Sequence, residues 1–524
     1  MPVQIETARE QIVRKRGSRW PIIVIVVLLG GAILVGLASW YAGRIVRKHL
    51  VEALESHYHS KVELRDFAVL VFPRVHISGE GLVLRQDMDV DAPPFIKVEK
   101  FSTDASILDL LRRKKRITSV TLQGLEIHIR RREHKSQSDE RSRTKVPEFV
   151  IESVSADDTK LIIHPRDPKK DPREFDIHQL SLHAAGTGEA MKYKATLTNP
   201  TPPGRIDSTG YFGPFNIDDP GQSPLKGDYI FQNADLGHFK GIAGILSSEG
   251  TFSGVLERID VKGKAEVPNF ALRSAGHPVD LTTDFTAVVD GTDGDTYLHE
   301  VRAHFLNTNL IAAGKIEGTP GQRGKTVALK VDGEKARIED LLTLVVNSKE
   351  APLRGEAEFH AQFELPPGQG DVLNRLRLNG TFGLENTKFA DNSVQQKIAK
   401  LSTRARGDKS NDFAPDDTAS DFAGHFTLAE GTAKFSQLSF FVPGASVELH
   451  GSYNLDSEDL DFHGNLHLQA ELSQMTTGVK SFLAKIVQPL FAGKSGKGRT
   501  DIPIKISGNR KDPKFGLDTG KVLH

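Results

Sequence analysis

The sequence predicts a mainly β protein, with one apolar helix near the N-terminus and a long antiparallel sheet behind it. Three observations carry that prediction. The stretch 20–43, "WPIIVIVVLLGGAILVGLASWYAG", contains no charged residue. Beyond it, segment after segment alternates apolar and polar side chains with a period of two, broken by Gly and Asp turns. Helical spacing returns only in a few short stretches.

The apolar run is long enough to cross a hydrocarbon core of roughly 30 Å as a helix. Trp20 and Trp40, the only tryptophans, mark its edges, where indole favours the headgroup zone. A cleaved signal peptide would have a shorter apolar core, so 20–43 is read as an uncleaved transmembrane anchor. Arg9, Arg14, Lys15, Arg16 and Arg19 precede it, against Arg44, Arg47 and Lys48 after it. The positive-inside rule then puts residues 1–19 in the cytoplasm and the bulk of the chain outside.

After the anchor, "RIVRKHLVEALESHY" (44–58) has helical spacing, and 61–85 reads as strands broken near Phe72 and at Ser78–Gly81. A short helix is expected over 106–117 and a strand over 119–131, completing an α+β region at 44–131. Residues 132–148 are mostly charged or small and read as a linker. Between 149 and 405 strand follows strand, including 160–165, 193–200, 205–213, 227–236, 250–274, 280–291, 304–318, 325–333, 355–365 and 375–386. Short helices are expected near 237–246, 336–347, 392–403 and 473–491. A polar linker, 406–421, precedes a C-terminal β region at 422–524.

So little helix cannot cover so many strands. Either sheets pack on one another, or one long curled sheet keeps an apolar face open. Glycines inside strands (Gly210, Gly254, Gly263, Gly314, Gly380, Gly451, Gly464) would permit the strong coiling that the second solution needs. The hairpin at 447–472 shows the problem most clearly. Val447, Leu449, Tyr453 and Leu455 point one way, followed after a turn by Leu460, Phe462, Leu466 and Leu468. A Leu or Phe left facing water forgoes roughly 1.5–3 kcal/mol, so this stripe must meet protein, lipid or a partner.

Composition narrows the function. Lys+Arg and Asp+Glu are both 68, and without a basic surplus nucleic acid is not an expected partner. Cysteine is absent, which removes disulfides, thiol catalysis and Cys-based metal sites. "AGKSGKGRT" (492–500) lacks the first glycine of a phosphate loop. "DGTDGDTY" (290–297) lacks the ligand spacing of a calcium loop and reads as a solvated hairpin turn. His450, His463 and His467 share a polar strand face but read as surface residues, so no metal is expected. The clusters Arg112–Arg116 and Arg130–Arg132 fit either anionic headgroups or solvated surface. No catalytic residue, cofactor site or enzyme motif emerges.

The ends of the chain resemble the AsmA-like family of bacterial envelope proteins, relatives of TamB and of the chorein-type bridge-like lipid transfer proteins. The resemblance lies in the anchor followed by "VELRDFAVLVFPRVHISGEGLVLR" (62–85), and in "KVEKFSTDASILDLLRRKKRITSVTLQGLEIHIRR" (97–131). It continues in "GTAKFSQLSFFVPGASVELHGSYNLDSEDLDFHGNLHL" (431–468) and "DIPIKISGNRKDPKFGLD" (501–518). The resemblance implies a single-pass protein of the bacterial inner membrane whose periplasmic part is an elongated, U-shaped β-sheet groove. It further implies phospholipid as partner, a role in lipid transport and outer-membrane homeostasis, and other envelope proteins as further partners. On this expectation Val447, Leu449, Tyr453, Leu455, Leu460, Phe462, Leu466 and Leu468 line the groove. A non-enzymatic scaffold for outer-membrane protein assembly is the alternative. A membrane-anchored enzyme would need a pocket of converging carboxylates or histidines.

Overall fold

A computed structural model describes residues 20–58, 60–72, 74–85, 93–105, 115–130, 149–165, 170, 172–185, 189–216, 219–272, 277–346, 348–406, 418–468, 500–510 and 512–518. It is a single 24-stranded sheet, curled into a half-barrel, with few helices. The expected helix at 473–491 and the expected linker at 132–148 lie outside the described residues, as does most of the expected helix at 106–117.

Helix α1 (Trp20–Tyr58) leads into β1 (Lys61–Leu70), β2 (Val75–Arg85), β3 (Ile96–Ala105), β4 (Lys115–Ile129), β5 (Phe149–Ile163) and β6 (Arg173–Ala185). There follow β7 (Met191–Pro200), β8 (Pro203–Phe212), β9 (Pro224–Asp235), β10 (Ile242–Ala243), β11 (Ile245–Val255) and β12 (Arg258–Leu272). The middle continues with β13 (Val279–Val289), β14 (Thr296–Phe305), β15 (Thr308–Gly318), β16 (Lys325–Arg337), α2 (Ile338–Val345), β17 (Leu353–Leu365), α3 (Val372–Arg375), β18 (Arg377–Phe389) and α4 (Asn392–Ala405). The C-terminal strands are β19 (Ser420–Ala429), β20 (Thr432–Val442), β21 (Ala445–Asn454), β22 (Asp459–Leu468), β23 (Thr500–Asn509) and β24 (Asp512–Leu517).

Almost every strand pairs antiparallel with the next in the chain. The exceptions are β4 and β5, which are parallel, and β10, which pairs only with β12 and leaves β9 against β11. The sheet therefore runs unbroken through both stretches read as linkers: β4 pairs with β5, and β18 with β19. The antiparallel order also sends successive turns to alternate edges. One rim carries the β1–β2, β8–β9, β11–β12, β13–β14 and β17–β18 turns. The opposite rim carries the β5–β6, β9–β11 and β14–β15 turns together with α2 and α4.

The expected helix near 237–246 is instead a 3-10 turn, Leu236–His238, followed by β10. Gly241 and Gly244 sit at φ 99° and 132°, a backbone region that no right-handed helix uses. The expected segment 250–274 is a hairpin, because Leu256–Glu257 turns between β11 and β12. Helices α2 and α4 fall where expected. The structure adds β6, residues 149–159 of β5 and residues 296–303 of β14, segments not anticipated as strands.

Inward-facing glycines lie opposite aromatic rings. Gly250 pairs with Tyr229, Gly263 with Phe285, Gly333 with Phe359, and Gly451 with both Phe435 and Phe462. A Cβ on Gly333 would lie 2.6 Å from the Phe359 ring, and one on Gly79 2.5 Å from Phe101. The rings use the space a side chain would have taken, an aromatic rescue of strand glycine. At Gly464 the limit is the neighbouring strand itself, since a Cβ would stand 1.8 Å from the Glu448 carbonyl oxygen. Gly464→Ala is therefore expected to force the β21–β22 strands apart and cost about 1–3 kcal/mol. A thermal melt of the variant at the wild-type midpoint would contradict this.

Candidate functional site

The inner face of the sheet is the candidate site, and its strands show why. In β9, Leu225, Gly227, Tyr229 and Phe231 are half-buried, while Lys226, Asp228, Ile230 and Gln232 are exposed. The same alternation runs through β11, β13 and β17, where Leu246, Phe252, Leu281, Phe285, Phe359 and Phe363 face inward. Their partners on the outer face include Glu249, Asp284, Glu358 and Glu364. Half-burial of one face with full exposure of the other marks a single layer: the lining residues touch one another, and no second sheet lies across them.

Polar groups on this face are neutralised locally. The Tyr193 hydroxyl meets Ser208 Oγ at 2.9 Å, and Ser208 Oγ donates to the Asp228 carbonyl. Tyr229 meets Ser248 Oγ at 3.1 Å, and Ser248 donates to the Lys264 carbonyl. Burial pushes both phenols above the ordinary tyrosine range. What these residues present to the interior is ring surface.

The curl brings the two rims together on the inner side. Flat, β5 and β13 would stand on the order of 34 Å apart at ~4.8 Å per strand. Yet Lys170, in the β5–β6 turn, donates to Asp293 at 2.8 Å and Asp295 at 3.1 Å in the β13–β14 turn. Lys325 adds a bond of 2.6 Å to Asp295, and the Gly318 amide one of 2.9 Å. Leu256, from the β11–β12 turn, packs with Ile129 and Ile163 at the far ends of β4 and β5. Phe95, before β3, stacks on Phe215 with centroids 5.9 Å apart. Farther along, the Val372 amide donates to the Lys240 carbonyl at 2.9 Å. These ties roof the interior between successive stretches of sheet.

The Asp-rich turn at 290–297 is thus not a solvated hairpin turn. The side chains of Asp293 and Asp295 are only 16% and 10% exposed and form the acidic half of a clasp. Local sequence could not show this, because Lys170 arrives from 123 residues away. Burial opposes the charge on Lys170, but its bonds to Asp293 and Asp295 outweigh that and raise its pKa above the ordinary lysine range. Burial likewise works against the Asp295 carboxylate, and the bonds from Lys325, Gly318 and Lys170 win, holding its pKa low.

A chain of rings stands beside the clasp. His128 Nε2 bonds Glu126 at 2.8 Å, and His128 Nδ1 meets His164 Nε2 at 3.1 Å. With Glu126 ionised, His128 donates from Nε2 and accepts at Nδ1 from the Nε2–H of a neutral His164. Burial, then the nearby charge of Arg130, lowers the His164 pKa to about 4.

The sign of each shift fixes the pH behaviour. A depressed Asp295 contributes stability that is present above about pH 3.9 and lost as pH falls through its lower folded value. A raised Lys170 contributes below about pH 10.4 and is lost as pH rises through its higher folded value. A depressed His164 acts between them: from about pH 6.5 down to 4 the unfolded chain takes up a proton that the folded one refuses, and stability falls. Melting midpoints are expected to drop across that interval, with His164→Phe flattening the drop. Lys170→Ala is expected to cost ~1.5–3 kcal/mol and to speed amide exchange in the turns at 256–257 and 290–295. Unchanged exchange there would mean that the clasp does not hold the rims.

Of the residues expected to line the groove, those within β21 and β22 lie on one face of that strand pair. Val447 pairs with Leu466, Tyr453 with Leu460, Leu449 with Gly464, and Phe462 with Gly451. They divide by burial. Phe462, Leu466 and Leu468 are 8%, 7% and 1% exposed, and the two leucines join Ile502, Val442 and Ala405 in a core packed by Ile398 and Leu401 of α4. Val447 packs against that core. Leu449, Tyr453 and Leu460 remain half-buried, and Leu455 lies in the turn with its amide bonded to the Gly431 carbonyl.

On the outer face, His450 and His463 are direct cross-strand partners with ring centroids 6.2 Å apart, and Asp518 holds His463 at 3.0 Å. Among the described residues no group of three His, Cys, Asp or Glu side chains is placed to hold a metal.

The expected anchor lies within α1, with Trp20 at the start of the helix. Side chains are described from Gly31 onward; among them, Trp40 is 61% exposed. Among the residues whose side chains are described, which in α1 begin at Gly31, no helix is long and apolar enough to cross a membrane. No family model, no curated protein and no solved structure matches the chain.

Proposed function

We propose that the curled sheet binds phospholipid acyl chains along its inner face, in a protein held at a bacterial inner membrane by α1 and acting in lipid transport to the outer membrane. The observation that carries this reading is the single-layer inner face of β9–β18. Its lining is apolar and mostly half-buried; α2 covers it only over Ala336, Ala357 and Leu384, and the ties between turns close it only at the rims. A lipid tail supplies what that face lacks, about 0.8 kcal/mol for each buried CH2, while its headgroup stays at the rim. The AsmA-like resemblance of the two ends and the apolar stretch 20–43 point the same way. The chemistry is binding, with no catalytic step and no cofactor.

A scaffold for outer-membrane protein assembly is the second reading, favoured by the α4 core that closes the C-terminal end of the same face. Native mass spectrometry of the full chain separates the two. Copurified phospholipid in stoichiometric amount is expected, and a stably folded, lipid-free chain would put the scaffold first.

A further inference from the structure

We infer that the β1–β2 tip, Leu70–Phe72, seats in the headgroup zone of an anionic phospholipid bilayer beside Trp40, holding that rim of the sheet against the membrane. The inference rests on the anchor reading and adds a second membrane contact outside the helix. Leu70 and Phe72 are 50% and 67% exposed at the very end of the hairpin, where a water-facing turn would carry Asn, Asp or Gly. Their depth is not free to vary. The Val71 amide donates to Ser39 Oγ at 3.3 Å, and Arg47 donates to the Leu64 carbonyl at 2.7 Å. Val69 and Val75 pack on Ala42 and Val46 between these bonds. Helix and hairpin move as one body, so wherever Trp40 sits, Phe72 sits at the same level.

The order of residue types chooses the occupant. On the N-terminal side of this level α1 presents Ile33, Leu34 and Leu37, all more than 60% exposed. At the level stand Trp40 and Tyr41, 61% and 64% exposed. Just beyond comes Arg44, its guanidinium 4.7 Å from the Trp40 ring centroid. Apolar, then aromatic, then cationic along one axis is the profile of a bilayer interface. A protein groove would not require it. Lys115 and Arg116, the first residues of β4, begin at the same rim.

The chain has no cysteine, so Phe72→Cys can carry a polarity-sensitive fluorophore, with Thr251→Cys on the outer face of β11 as reference. The full chain is reconstituted into vesicles of phosphatidylethanolamine and phosphatidylglycerol, and flotation reports insertion separately. The expected result is flotation of both variants, with the label at 72 blue-shifted and several-fold more quenched by spin-labelled lipid than the label at 251. A floating chain whose label at 72 is as open to iodide as that at 251 overturns the inference and leaves the anchor standing. A chain that does not float overturns both. Protection at 72 that depends on protein concentration, without lipid quenching, also overturns it, because the occupant would then be a second copy.

Discussion

Aspartate at Phe285 and Leu298 is expected to leave the sheet folded and to empty it of lipid. The two residues face inward from adjacent strands: Phe285 pairs with Val301, and Leu298 with Ala287. Both are half-buried. A carboxylate there keeps contact with water when the interior is unoccupied, so folding tolerates it. An acyl chain laid across it must strip that water away, at a cost of several kcal/mol per unpaired charge. Since each 1.4 kcal/mol is a factor of ten in affinity, the pair should abolish retention. Native mass spectrometry with lipid extraction reads this directly. Lipid retained at the wild-type level would place the occupant elsewhere, and an unfolded variant would show the face to be a closed core.

Aspartate at Leu468 should have the opposite consequence. Leu468 is 1% exposed, between Ile502 at 2% and Ala405 at 1%, under the α4 residues Ile398 and Leu401. Even truncation to Ala would cost ~2–5 kcal/mol, and a buried unpaired charge exceeds the 4–5 kcal/mol that marks exceptional mutations. The C-terminal strands β19–β24 are expected to lose their protection from limited proteolysis while the clasped stretch β3–β18 keeps it. Full protection across the chain would mean that α4 is not what covers this end. The contrast between positions 285 and 468 defines where the interior is open and where it is closed.

Much of the fold was legible because strand alternation is local. The hairpin at 447–472 could be read residue by residue, since each inward position is set by its own parity, and β21 and β22 pair as that parity requires. Glycine placement announced the coiling, and the rings opposite Gly263 and Gly333 explain why those glycines cannot be larger. Features fixed by distant contacts were hidden. The parallel β4–β5 pairing depends on where the chain returns after 130–148. The clasp joins a lysine and two aspartates that look like ordinary turn residues until the rims meet. The burial of Phe462, Leu466 and Leu468 was equally hidden. Their alternation is identical to that of Leu449; Leu466 and Leu468 become core under α4, attached far upstream, and Phe462 packs against the Phe435 ring.

The most direct test is site-specific photo-crosslinking in cells with a benzophenone amino acid at Phe285 and, in a second strain, at Thr251 of the opposite face. Adducts that carry phospholipid at 285 and none at 251 are the expected result, because only the first projects into the curled interior. Equal lipid labelling at both positions, or protein adducts alone at 285, would contradict an acyl-chain groove.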